Sequence, residues 1–238
     1  MLSMEGCRAS DSGREDSVTA RGKRRILVEL AIPYVLILLV CWTPRPLQRF
    51  LWLVAAASIV AITCVSFDGL KAMGLRAVNF SRSLWVVAAA LASAAVVVLV
   101  AVRLHTLHAP GSTILFIETY CAYALWACVQ QFLLQCFFLS RFLRLLPSAR
   151  SAAVAASVIF AIAHLPSPIL TTVTLIWGFV ACLLFLRYRN LYSLAIAHAI
   201  LGITIAISVP GPVDHNMRVG LGYLTYGHTH GTIQSPQP

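Results

Sequence analysis

The chain has 238 residues, of which 59% are hydrophobic and only 11% charged, with a formal net charge of +10 and a mean hydropathy of +0.83. That composition excludes a soluble globule and describes a polytopic membrane protein. The excess of Lys and Arg does not indicate nucleic-acid binding, because the basic residues sit between apolar runs instead of forming a basic face with base-reading side chains.

In chain order, residues 1–25 are polar and end in Arg21, Lys23, Arg24 and Arg25, a composition expected to form a disordered basic N-terminus on the cytoplasmic side and not a cleavable signal. Apolar runs follow at about 26–42, 51–67, 84–102, 113–140, 151–165, 168–187 and 190–208. Most approach the ~20 residues a spanning helix needs, so the expected fold is all-α, a helix bundle of about seven transmembrane segments. The fifth run is short enough to be a buried or re-entrant segment. Pro33 predicts a kink in the first helix, and Pro166 and Pro168 a sharp turn after the fifth run. Residues 68–83 are expected to form a basic connection lying on the membrane surface as a short helix. The tail from Val209 to Pro238 is Gly- and Pro-rich and carries His215, His228 and His230, which are expected to be solvated and not metal-bound.

Alternate loops test the topology. With the N-terminus in the cytoplasm, Lys71, Arg76, Arg82, Arg141, Arg144, Arg150, Arg187 and Arg189 join the N-terminal basic cluster on one side, leaving Arg45, Arg49, Arg103 and Arg218 on the other. The asymmetry follows the positive-inside rule and places the chain as a multi-pass protein of the plasma (inner) membrane. The seven cysteines form no C-x-x-C pair, so neither a disulfide framework nor a zinc site is expected; they read as small buried apolar residues.

The fourth run is unusual in carrying Gln130, Gln131 and Gln135. Unpaired amides in hydrocarbon cost several kcal/mol, so they must face other helices or a wet cavity. At ~1.5 Å per residue, Gln131 lies ~13 Å from the inner end of its helix, His198 ~12 Å and His164 ~20 Å. The three are therefore expected to share one cavity open to the cytoplasm. Gln131 and Gln135, four apart, share a helix face, and Gln130 is turned away from it. A lone membrane Gln is usually interhelical glue; two histidines on different helices at matching depth favour a site. Glu118, near the outer end of the fourth run, is expected to be structural, and Glu29 to pair with Arg25 or Lys23. No half-helix pair or inverted repeat suggests a transporter.

Local patterns over about 113–206 resemble the CPBP family of CAAX prenyl protease and bacteriocin-processing intramembrane proteins. The family's E-E-x-x-x-R motif aligns with Gln130-Gln131-Phe132-Leu133-Leu134-Gln135, its F-x-x-x-H motif with Phe160 to His164, and its third motif with Asn190 to Gly202, including His198. A weaker echo is Gly74-Leu75-Arg76. The resemblance implies a CPBP intramembrane protease core at 113–208, preceded by N-terminal helices at 26–112 and followed by a polar tail at 209–238. It implies a glutamic-type endopeptidase acting on membrane-associated proteins or peptides, without cofactor or metal. By the same resemblance, Gln130 or Gln131 stands where the base belongs, His164 beside the water and His198 in the oxyanion hole. Gln135 stands where the family has Arg, and Gly202 where it has Asn. An amide takes no proton. Two readings follow: an endopeptidase using His164 as base with Gln131 holding water, and a pseudoprotease that binds transmembrane or lipidated peptides uncut.

Overall fold

The computed structural model describes the backbone of residues 5–67, 69–77 and 79–226, and side chains from Arg21 onward. His228 and His230 lie outside the described residues. Every regular element among the described residues is helical: α1 (Glu5–Trp42), α2 (Leu47–Val65), α3 (Phe80–Arg103), α4 (Thr113–Gln131), a π-helical segment π1 (Phe132–Leu139), α5 (Ser140–Leu145), α6 (Ala149–Ile162), α7 (Pro168–Tyr188), α8 (Leu191–Ser208), and the short α9 (Gly211–Asp214) and α10 (Leu221–Leu224). Six stretches are long and apolar enough to cross a membrane: Arg21–Trp42, Leu47–Val65, Phe80–Arg103, Thr113–Leu145, Pro168–Tyr188 and Leu191–Ser208. The fifth expected run, α6, has 14 residues, fewer than a spanning helix needs, and is a shorter apolar helix.

Short polar residues start the helices. Ser112, Ser148 and Asn190 sit at the N-caps of α4, α6 and α8 and accept from the backbone N–H three residues on, at 3.2, 3.0 and 3.1 Å. Ser167 caps α7, and Pro168 occupies the first turn, where its missing N–H costs nothing. α1 continues through Pro33.

Leu53, Val96, Ile114 and Leu125 face outward and are exposed, as lipid-facing residues are. Cys64, Cys121 and Cys128 are also exposed, against the expectation of burial, whereas Cys136 and Cys182 are buried. An apolar residue on a spanning helix gains as much from lipid as from a protein core, so hydropathy does not separate the two. The interior is built on small residues. Ala152, Ala153, Ala156 and Ser157 of α6 meet Gly178, Ala181 and Cys182 of α7, and a Cβ on Gly178 would sit 3.3 Å from that of Ser157. Such close approach is how helices associate where water supplies no driving force. α8 packs between α3 and α4, and α1 between α2 and π1.

The connection between α2 and α3 is not the expected surface helix. Its described residues form turns that tuck beneath the α7–α8 corner: Met73 is buried, Leu191 N–H donates to the Gly74 carbonyl at 3.0 Å, and the Tyr192 hydroxyl donates to that of Leu75 at 2.8 Å. Gly74 has φ +66°, and a Cβ there would meet the Phe185 ring and the Arg189 carbonyl. The backbone donors and acceptors of this corner hold the loop more strongly than its few apolar residues would hold it on a membrane surface.

At the same end, Arg141 is 4% exposed and joins three helices. It donates to Glu29 at 3.3 Å, to Ser66 Oγ at 2.7 Å and to the Phe137 carbonyl at 2.9 Å, and lies over the Phe137 ring. Glu29 also pairs with Arg25 at 2.9 Å, the partner expected, and Arg141 is a second one that sequence distance concealed.

Candidate functional site

The amides of α4–π1 and the two histidines meet. Gln135 Nε2 donates to Gln131 Oε1 at 3.3 Å, and Gln131 Nε2 donates to His198 Nδ1 at 3.0 Å. Both glutamines are fully buried. Because Nδ1 of His198 accepts, the ring proton resides on Nε2, which makes that nitrogen a donor. His164 is wired the opposite way. Its Nδ1–H donates to the Phe160 carbonyl at 2.7 Å, leaving Nε2 with a lone pair that Gln130 Nε2 approaches at 3.5 Å. One imidazole is thereby a donor and the other an acceptor.

These groups border a cavity of about 630 Å³ whose wall includes Gln130, Phe160, His164, His198 and Gly202. Phe160 stands between the histidines, its ring centroid 4.9 Å from that of His164 and 6.0 Å from that of His198, both edge-on. No Asp or Glu lines the cavity among the described residues. Glu118 is exposed on α4 and is not in the wall, and Asp214 is buried at the end of α9, where desolvation pushes its carboxyl up while the Asn216 N–H opposes. Among the described residues no group of three His, Cys, Asp or Glu side chains converges as a metal site.

All seven residues singled out from sequence fall in this cluster, with two corrections to their parts. Gln130 is off the face that Gln131 and Gln135 share, as expected, but the cavity lies on its side, so Gln130 is the amide at the wall, and Gln131, expected to hold water there, lies behind His198. Nor does the cavity open toward the basic end of the bundle. Its wall continues through Cys41, His108, Asn216, Met217 and Val219, at the opposite end, while Leu134, Phe137, Leu139 and Arg141 fill the basic end.

Sequence reasoning missed Tyr123, Trp177 and Tyr34. The hydroxyl of Tyr34 donates to the Ile159 carbonyl at 2.9 Å, and the Trp177 indole lies 6.2 Å from His198 with its N–H buried and unpartnered. Tyr123 rests against Gly202, where a Cβ would overlap the phenol hydroxyl. An aromatic stripe on a membrane helix gives no sequence signal separating cavity lining from packing.

Chemically, the arrangement supplies an acceptor, a donor and an amide around a largely apolar hollow. Residues 112–204 match the family model described as "Rce1-like: Type II CAAX prenyl endopeptidase Rce1-like". No curated protein and no solved structure matches the chain. The matched segment begins at the Ser112 cap of α4 and ends on α8 beyond Gly202, so it contains both histidines and all three glutamines; over residues 112–204 this membrane protein is similar to the Rce1-like CAAX prenyl endopeptidases.

Proposed function

We propose that the protein holds a peptide segment of a membrane protein in this cavity without cutting it. The observation that carries the reading is the neutral Gln–His wiring: Gln130 at the cavity wall and Gln131 behind His198 stand where a hydrolase of this family has carboxylates, and an amide cannot take a proton from water. The donors and acceptors that would bind a peptide remain. His198 Nε2–H suits a carbonyl oxygen, and Gln130 and His164 suit a backbone amide or a trapped water. The apolar remainder of the wall suits a membrane-embedded chain with or without a lipid group. The site would lie in the plasma membrane with the N-terminus in the cytoplasm.

Hydrolysis is the second reading, favoured by one observation: the nitrogen of His164 left free by its Phe160 bond is the one Gln130 approaches at the cavity wall. A 21-residue apolar peptide with a central benzophenone, incubated with the protein in lipid nanodiscs, separates the two. Photocapture of intact peptide, with no fragments by mass spectrometry, is expected. Fragments that vanish in His164→Ala would overturn the binding reading in favour of the hydrolytic one. Gln130→Glu is the arm expected to gain cleavage, since that side chain alone of the three glutamines borders the cavity.

A further inference from the structure

We infer that Tyr123 is a binding residue whose phenol O–H receives a backbone carbonyl of the bound peptide, and that together with His198 it holds that peptide in an extended form. The inference rests on the peptide-binding reading above and specifies how that site recognises its ligand.

Gly202 is buried on α8, one turn beyond His198. Its missing side chain leaves a notch, and the Tyr123 phenol of α4 fills it: an added Cβ would overlap the hydroxyl and meet Cζ and Cε1 of the ring. The notch thus brings a polar O–H from one helix to the level where another helix would have carried its own side chain. Both Tyr123 and Gly202 line the cavity. Among the described residues the Tyr123 hydroxyl has no hydrogen-bond partner, whereas Tyr34 in the same wall spends its own on the Ile159 carbonyl. A phenol O–H in an apolar, half-closed hollow is a donor awaiting an acceptor.

The second step concerns spacing. His198 and Gly202 are separated by one helical turn, ~6 Å along α8. Carbonyls pointing the same way along an extended peptide recur every second residue, ~6.6 Å. The α8 levels at which the Nε2–H of His198 and the O–H of Tyr123 are presented are thus spaced like carbonyls two residues apart on one edge of an extended chain. A helical peptide cannot offer that edge, because its carbonyls are already bonded within the helix. The ligand this site selects is an unwound stretch of a membrane-embedded peptide.

The test uses two photoreactive 21-residue probes in nanodiscs, one uniformly Leu/Ala and one with a central Asn-Pro-Gly break. The native chain should capture the broken probe at least several-fold better than the helical one. Tyr123→Phe should weaken capture of the broken probe about tenfold, the weight of one hydrogen bond, with the melting temperature unchanged. Replacing central amides one at a time by esters, whose carbonyls accept more weakly, should identify a position that matters to the native chain and not to Tyr123→Phe. Equal capture of the broken probe by the native chain and Tyr123→Phe would overturn the inference while leaving the peptide-binding reading intact. Failure of the native chain to capture either probe would overturn both.

Discussion

At the scale of single residues, the site depends on which way each proton points. The relay from Gln135 through Gln131 to His198 Nδ1 and the bond from His164 Nδ1 to the Phe160 carbonyl require opposite tautomers on the two rings. Nitrogen-15 NMR of histidine-labelled protein in nanodiscs should therefore show His198 protonated on Nε2 and His164 on Nδ1. The same tautomer at both positions would reverse the wiring and remove the donor–acceptor contrast. The relay explains why Gln131 and Gln135 can be buried together: each amide gives the next its hydrogen bond, with only Gln135 Oε1 left over. A half-satisfied network is costly, so replacing Gln131 by an apolar residue would strand the ring it serves.

At the scale of elements, the turn connection between α2 and α3 is fixed by one backbone conformation. Gly74 combines φ +66° with contact to Phe185 and to the Arg189 carbonyl, which itself ends α7 in a left-handed turn at φ 50°. Gly74→Ala should cost about 1–3 kcal/mol, since it adds both a steric clash and a disfavoured backbone angle. Unfolding in mixed detergent micelles would measure it; a change below a few tenths of a kcal/mol would mean the corner yields freely. Most elements were legible in the sequence because hydropathy and Pro168 act locally. The π segment and the buried loop were not. A π-helix differs from an α-helix by one residue per turn, invisible among Phe132-Leu133-Leu134, and the loop is held by backbone carbonyls that no side-chain pattern encodes.

At the scale of the whole molecule, counting depth along helices placed the imidazoles and amides together, because antiparallel α4 and α8 bring Gln131 beside His198 and Tyr123 beside Gly202. It did not reveal which end of the bundle is plugged. That depends on how tightly Phe137, Leu139 and Arg141 pack against α1 and α2, and on the C-terminal segment that returns to the other end, where Gly220 N–H donates to the Leu165 carbonyl at 2.7 Å. The cavity wall therefore continues to Val219, opposite the basic loops. If those loops are cytoplasmic, as the positive-inside rule requires, the cavity faces the far side of the membrane. A Val219→Cys variant, with Cys7, Cys41, Cys64, Cys121 and Cys128 replaced by Ala, tests this directly. A membrane-impermeant methanethiosulfonate should label Val219→Cys only from the face opposite the cytoplasm, and prior capture of a peptide probe should slow labelling at least several-fold. Labelling from the cytoplasmic face instead would mean either that the bundle is inverted in the membrane or that the cavity reaches the basic end. An Arg24→Cys label in the same background separates these, since an inverted bundle moves both labels to new faces and a through-cavity moves only one.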